Sequence, residues 1–583
     1  MRVLLLHPED SAVVGPWTEQ RWDLVVDLGF AGSCTYEEWT KKLGSRVITI
    51  HQFAGQSESF RWVKQVLQCG RGRLVDRIGL DWWEILGSQS FQDLQALYLV
   101  HQLRREMAGD QAELAASRRD RLIRIIEQVF GRPVRCFRGE DRGAVRRMRR
   151  MFRSARNLRP SQVVEITFDK WDAGYRMRRH AARQSRANLV DSVVLLPSAY
   201  SNVTRCVLAY AGQLQQRKFL LATTRRSAVS SRLPENVATA SLAAYGVPVR
   251  SIRAEAEELT KACQAFCRAM EAEVAEFQQA AGAGIWDYLP GQLRIGLLLR
   301  DAWKCLLDTE PITGVLCGDD LNYHTRLPLI LARRRGLNAI YCSHGALDGG
   351  FLFKTPIAES HLVKGRMERE YLQRASNLGS DRISVAAPGR PASTPVDRRN
   401  GALVFFSQPY EVGGGRADAI YQEAIPRLYS VAQQAERKLV IKLHPFESLR
   451  ARKALVKAIL PESAGRAVDV LSDVPPEEVI SRAWCGVTVD SSIAVECALR
   501  RVPCFLCGWL DFGGMGYLQE FARFGAGLVL DAPADIERIP RMAAEYRPDL
   551  TTMQSLWQEA DTAWLDEVIF GTSPVRLPHP CAS

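Results

Sequence analysis

Nowhere in this sequence do apolar residues run for the ~20 positions that a helix needs to cross a bilayer. No GxGxxG follows the first strand-like segment and no GxxxxGKS/T occurs. Neither a dinucleotide fold nor a P-loop fold is therefore indicated. No DxD lies between strand patterns, so nothing points to a metal-dependent transferase. Zinc-finger spacing, an RNA-recognition signature and an interleaved aromatic platform are all missing, and no nucleic-acid partner is expected. Fourteen cysteines are present but scattered, with one isolated CxxC, Cys504 and Cys507 in VPCFLCGW. A second pair would be needed for a metal site, so these read as small buried hydrophobes in a reducing compartment. There is no short repeat and no low-complexity stretch.

What is present describes a globular protein. Of the 583 residues, 46% are hydrophobic and 24% charged, ordinary values for packed domains. At ~100–200 residues per domain, two to four units are expected. The opening MRVLLLHPED turns acidic immediately after Val3–Leu6, so it reads as a first strand rather than a signal peptide. A cytoplasmic protein is expected, with peripheral association at the inner face of the cell membrane. The reason for the latter is charge. Residues 131–190 hold 17 basic and 5 acidic residues, an excess equal to the net +12 of the whole chain. VRRMRRMFRSAR (145–156) and YRMRRHAARQSR (175–186) are compatible with basic helices. Such a segment is either a solvated face or a site of attraction for an anionic membrane, glycan or lipid phosphate.

Hydrophobic patterning alternates between strands and helices along most of the chain. Strands are predicted at Val3–Leu6, Leu24–Leu28 and Val47–Ile50, then helices near 91–108 and 117–130. DSVVLLPSAYSN (191–202), a helix over 203–215 and KFLLATT (218–224) form a βαβ pattern. A long helix is predicted over 254–281. Thr313–Cys317, the loop GDDLNYH, a helix over 325–335 and Asn338–Cys342 form another βαβ unit. The stretch 376–400, with PGRPASTPVD at its centre, reads as a domain boundary. Strands at ALVFFSQP (402–409), KLVIKLHP (438–445), VDVL (468–471), GVTVD (486–490) and VPCFLC (502–507) then alternate with helices. The fold class is α/β, with two Rossmann-like domains whose parallel sheets face an interdomain cleft. The predicted units are an N-terminal domain over 1–390 with a helical basic insertion at about 91–190, a nucleotide-binding domain over 400–535, and C-terminal helices and a tail over 536–583. Ligands in such sheets sit outside the carboxyl ends of the strands, so the loops after strands are the candidate site.

Two loops in the second half stand out. Lys442, His444 and Pro445 end the KLVIKLHP strand, where a histidine can give a phosphate oxygen a hydrogen bond or a positive charge. It can equally cap the loop. Asp490 ends a later strand, and Ser491 and Ser492 open the following helix, whose free amides suit a phosphate. A serine there also serves as a plain N-cap. Glu496, within that helix, could reach ribose hydroxyls.

The His-Pro and Ser-Ser motifs resemble those of bacterial sialyltransferases and polysialyltransferases. They are also similar to those of capsule polysaccharide proteins, CMP-Kdo-dependent transferases included. The resemblance spans about 400–510. It implies the GT-B type of fold, with His444, Pro445, Ser491 and Ser492 on the phosphate of a CMP-linked sugar. Ser407 and Gln408, in SQPYE, then resemble the first nucleotide-side loop. These families carry an acidic pair followed by glycine, whereas here Gly318 precedes Asp319 and Asp320.

The first half must then supply a base. An inverting transfer needs a carboxylate or histidine to take the acceptor's proton. Asp319 or Asp320 fits, and adjacent carboxylates raise one another's pKa; one of them can instead cap the next helix. SHGALDGG (343–350) offers His344, with Asp348 as a further base, and resembles a loop of capsule and polyol-phosphate transferase proteins. His7-Pro8, Ser198, Ser201 and Asn202 lie on other strand-end loops that could line the acceptor side.

The sequence reading is a glycosyltransferase, metal-independent and without a cofactor. Its partners would be a nucleotide-sugar donor and a polysaccharide or lipid-linked glycan acceptor. The alternatives are a CDP-polyol phosphotransferase of teichoic-acid type, a UDP-sugar transferase or 2-epimerase, and a non-catalytic membrane-associated assembly protein.

Overall fold

The computed structural model describes residues 1–137 and 186–571, apart from 11, 54–55, 108–111, 226–227, 229–231, 390–399, 473, 512–513 and 548. The two basic helices expected within 131–190 and most of PGRPASTPVD lie outside the described residues.

Among the described residues, eighteen strands make three sheets. The first contains β1 (Arg2–Leu6), β2 (Leu24–Asp27), β3 (Arg46–Thr49), β4 (Glu113–Ala116) and β5 (Arg135–Cys136). The second contains β6 (Val193–Ser198), β7 (Phe219–Thr223), β8 (Val237–Ser241), β9 (Ile312–Cys317), β10 (Asn338–Cys342), β11 (Ser360–Val363) and β12 (Ile383–Val385). The third contains β13 (Ala402–Phe406), β14 (Leu439–Lys442), β15 (Val468–Leu471), β16 (Ala483–Thr488), β17 (Cys504–Cys507) and β18 (Leu528–Leu530). Within each sheet the pairing of neighbouring strands is parallel. Central strands such as Val193–Ser198 are buried along their whole length, as sheets covered by helices on both faces require. The expected α/β architecture with parallel sheets is met, and the first half is divided between two of them.

The strand orders are β3-β2-β1-β4-β5, β12-β11-β10-β9-β6-β7-β8 and β15-β14-β13-β16-β17-β18. Each sheet starts at an inner strand, winds outward, then crosses back to the other side. The order therefore reverses at β1/β4, at β6/β9 and at β13/β16. At such a reversal the flanking loops diverge and leave a crevice at the carboxyl ends. Three crevices follow from topology alone.

Helices join the sheets into one body. Trp82–Leu86, Phe91–Glu106, Val249–Glu273 and Leu289–Thr309 lie in the core shared by the first two sheets, where Trp82, Trp83 and Trp303 are buried. Arg300 is buried in that layer, 2.7 Å from Asp76 and 2.5 Å from Glu255. The predicted helix over 254–281 is broken at Val274, which is extended. After the third sheet, Ile536, Ile539 and Ala543 still pack on it. The helix Thr562–Phe570 returns to the second sheet, where Leu565, Val568 and Ile569 pack against Val194, Leu316 and Ile340. Among the described residues no helix is long and apolar enough to cross a membrane.

Candidate functional site

The third sheet's crevice brings together most of the second-half motif residues. Ser407 and Gln408 follow β13, and Asp490, Ser491 and Ser492 follow β16. Gln408 donates from Nε2 to Asp490 Oδ1 at 2.7 Å, and the Asp490 amide faces Gln408 Oε1 at 3.4 Å. This reciprocal pair spans the reversal point. Burial pushes Asp490 up to about 6; the Gln408 bond opposes the shift and Asp511 adds to it. Ser491 Oγ accepts from the Ile493 amide at 3.4 Å, while Ser492 is exposed and makes no capping bond. The helix they open, Ile493–Leu499, has seven residues. Glu496 forms an ion pair with Arg500, the C-cap residue one turn further along.

His444 lies on the neighbouring loop after β14. Its Nδ1 accepts from the Phe446 amide at 3.2 Å, which leaves the proton on Nε2. Burial, with Lys442 adding to it, lowers its pKa to about 4. Near neutral pH His444 is thus an uncharged N–H donor. Pro445 is exposed and turns the chain behind it. Lys442 is buried, its ammonium donating to Leu443 O at 2.6 Å and Ser472 O at 3.0 Å. It braces the loop from beneath.

Glu447 ties these loops together, and sequence reading missed it. Its Oε1 accepts from Ser407 Oγ at 2.8 Å and from Arg452 at 2.7 Å, and its Oε2 accepts from the His444 amide at 2.8 Å. Ser407 is buried and also accepts from the Tyr421 hydroxyl at 2.8 Å. The signal was available: Glu447 lies three residues after His444, within reach of its amide.

In the second sheet the acidic pair follows β9 at the reversal point, where the two members have different surroundings. Asp320 is fully buried, in ion pairs with Lys354 and, at 3.6 Å, Arg326. Asp319 accepts from the Leu321 amide at 2.9 Å. Burial raises its pKa, while the charges of His344 and Lys354 pull it down. His344 is exposed, and its Nδ1 is 2.8 Å from Gly318 O. A carbonyl only accepts, so Nδ1 carries the proton and Nε2 keeps a free lone pair. Asp348 accepts from Tyr341, from Lys354 at 3.0 Å and from the Gly350 amide at 2.9 Å. Burial raises its pKa, but Lys354 and these bonds outweigh burial and hold it below the usual range. Asp320 and Asp348 therefore both pair with the Lys354 ammonium, and His344 is the accessible basic group of this loop cluster. Ser198 bonds Thr204 Oγ1 at 2.8 Å within the core, whereas Ser201 and Asn202 are exposed.

The carboxyl ends of the second and third sheets meet. The Gly349 amide, after β10, donates to the Tyr517 hydroxyl, after β17, at 2.7 Å. Tyr371 donates to Met515 O at 2.8 Å. Burial raises the Tyr517 pKa, and the charges of Asp348 and Asp490 push the same way. A Cβ on Gly349 would sit 2.4 Å from Met515 Sδ and 2.8 Å from the Tyr517 oxygen. That glycine serves the approach of the two loops. A void of about 10 Å³ behind them, lined in part by Tyr341, Ser343, Asp348 and Tyr371, holds one water at most. A larger recess of about 410 Å³, lined in part by Ala498, Leu528, Met542 and Met553, contains none of the motif residues. Leu321, Val412 and Phe446 are large apolar side chains exposed on loops of these two sheets. Among the described residues no group of three His, Cys, Asp or Glu could hold a metal ion.

No protein-family model matches the sequence, and no curated protein sequence does. Solved structures give distant likenesses. The calicheamicin glycosyltransferase CalG4 is 12% identical over 66% of this chain and 95% of its own, at a TM-score of 0.36. The UDP-GlcNAc 2-epimerase of Methanocaldococcus jannaschii in complex with UDP-GlcNAc and UDP is 10% identical over 63% and 96%, at 0.39. The spinosyn rhamnosyltransferase SpnG complexed with thymidine diphosphate is 14% identical over 65% and 95%, at 0.34. Scores of this size do not establish a common fold, and these likenesses stand beside the geometry without supporting it.

Proposed function

We propose that this chain is a nucleotide-sugar-dependent glycosyltransferase of the GT-B type, with donor and base on opposite sides of the junction between its second and third sheets. One observation carries the reading. The Gly349 amide, on the loop after β10 that also carries His344 and Asp348, bonds the Tyr517 hydroxyl after β17, in the sheet whose reversal point holds the Gln408–Asp490 pair.

In this reading His444 donates Nε2–H to the departing nucleotide phosphate, stabilising charge where it develops. The Gln408–Asp490 pair shapes the crevice beside it, and Phe446, exposed next to His444, offers a face for the base. His344 takes the acceptor hydroxyl's proton on Nε2. Gly318 O fixes its tautomer, and the Asp319 carboxylate favours the imidazolium that forms. The resemblance of the His-Pro and Ser-Ser motifs supports a CMP-linked acidic sugar as donor and a surface polysaccharide or glycolipid as acceptor.

The test is a thermal-shift screen against CMP, CDP, UMP, UDP, GDP and ADP, on the protein and on His444→Ala. A ligand that binds only the native state raises the midpoint by mass action. A rise with CMP that is lost in His444→Ala is expected. A rise with UDP alone would replace the CMP donor with a UDP-sugar and bring the epimerase alternative forward. No rise with any nucleotide would remove the transferase reading.

A further inference from the structure

The first sheet has its own reversal point, and the reading above leaves it without a task. His7 follows β1, and Ser117, Arg118 and Asp120 follow β4, its parallel neighbour. The side chains of His7, Arg118 and Asp120 meet. His7 Nε2 is 2.5 Å from Asp120 Oδ2, and the Arg118 guanidinium is on His7 Nδ1. The Glu9 amide also donates to Nδ1, at 3.4 Å. With donors on Nδ1, the imidazole proton lies on Nε2, facing Asp120. Asp120 accepts from the Ile123 amide at 3.0 Å as well, so its carboxylate is committed.

What remains is a set of buried groups with nothing to bond. Among the described residues, Ser117 Oγ, Arg118 Nε and Asp10 Oδ2 have no hydrogen-bond partner. Ser117 is 1% exposed and Asp10 5%. Each such group costs about 1–3 kcal/mol unless something satisfies it. Asp10 closes the turn that His7 starts, its amide 2.9 Å from His7 O. That turn is fixed from outside by Arg416, which donates to His7 O at 2.8 Å, Pro8 O at 2.9 Å and Asp10 O at 2.6 Å. Among the described residues, the carboxylate lying on Arg118 is Glu9, at 3.1 Å and 56% exposed, which an incoming anion can displace.

We propose that the β1/β4 crevice is a second ligand site, for a phosphorylated sugar or polyol. Unsatisfied donors on Arg118 and Ser117 call for anionic oxygens. The unsatisfied acceptor on Asp10 calls for a hydroxyl. A phosphate ester of a polyhydroxylic molecule supplies both. This site is on a different sheet from His444 and does not depend on the donor reading.

Isothermal titration of the full chain with glucose 1-phosphate, inorganic phosphate and glucose tests it, on wild type, Arg118→Met, Ser117→Ala, Asp10→Asn and His444→Ala. Glucose 1-phosphate is expected to bind wild type and His444→Ala equally, at least tenfold more weakly to Arg118→Met and about threefold more weakly to Ser117→Ala. Inorganic phosphate should bind more weakly than the ester, and glucose should not bind measurably. If Arg118→Met does not fold, Ser117→Ala and Asp10→Asn decide by the same criterion. Binding lost in His444→Ala and kept in the first-sheet variants would place the ligand in the third sheet and overturn the proposal. So would the absence of binding by both phosphates. Inorganic phosphate binding as tightly as the ester would overturn the polyol component.

Discussion

His444 and His344 share a residue type and a strand-end position, yet their surroundings assign them opposite tautomers. His444 accepts on Nδ1 and donates from Nε2; His344 donates from Nδ1 and accepts on Nε2. The first suits a phosphate oxygen and the second suits a proton to be removed. Replacing His344 by Ala is therefore expected to cut transfer at least 100-fold while leaving nucleotide binding within a factor of two. Replacing His444 by Ala should weaken nucleotide binding by about 10–30-fold, the worth of a hydrogen bond to a charged group. Single-turnover assays and titration calorimetry separate the two. Equal losses of binding in both variants would mean that the tautomers do not define the roles. His444 also carries a pH signature. Its folded pKa of about 4 lies below the ordinary ~6.5, so its stabilising contribution is present above ~6.5 and lost as pH falls toward about 4. A bound phosphate favours the protonated ring, so nucleotide binding should be accompanied by proton uptake between about pH 4 and 6.5. Calorimetry in buffers of different ionisation enthalpy measures that uptake, and His444→Gln should abolish it.

Elements show where local pattern sufficed and where it did not. ALVFF is a strand where the sequence put one, and GVTVD overlaps β16, which starts three residues earlier at Ala483 and ends at Thr488. β4, with the sequence ELAA, was not legible, because alanine carries no strand preference and pairing with β1 decides its conformation. β8, VATAS, is an edge strand with two partly buried and one exposed position, too weakly patterned to stand out. The break at Val274 was hidden because flanking alanine and glutamate residues favour helix on both sides. At this scale the Gln408–Asp490 bridge between the loops after β13 and β16 makes a stability prediction. Asp490 titrates near 6 in the folded chain and near ~3.9 when unfolded. Ionising it in place costs stability as pH rises from ~4 through about 6, and the full cost stands above that. Asp490→Asn should thus stabilise the protein at pH 8 by on the order of 2 kcal/mol and lose that advantage as pH falls toward 4. A gain that persists undiminished at pH 4.5 would mean that the carboxyl is not the origin.

For the whole molecule, the positions of the three sheets depend on a few buried contacts. Arg416, after β13, is buried and bonds Asp27 at the end of β2 through both Nε and Nη2, with Nη2 to Oδ1 at 2.6 Å. Removing one member strands a buried charge, so Arg416→Met should destabilise by about 3–5 kcal/mol. The double change Arg416→Met with Asp27→Leu should recover much of that in chemical denaturation. Gly349→Ala probes the other contact. Its Cβ collides with Met515 and Tyr517, so transfer should fall at least tenfold while CMP binding to the third sheet is kept.

The sequence by itself determined the chemistry of the loops and the α/β class. His-Pro after one strand and Asp-Ser-Ser after another are local facts, and buried parallel strands announce themselves as apolar runs. It also determined that Asp319 and Asp320 lie on the loop after a strand. Only the tertiary structure decided that Lys354, 34 residues along the chain, neutralises Asp320 and leaves His344 accessible. It alone decided that the first half holds two sheets, and that His7 and Arg118 meet across more than a hundred residues. The physical reason is the same in each case. Propensity and periodicity act over a few residues, whereas charge neutralisation, burial and strand order depend on what the rest of the chain brings alongside.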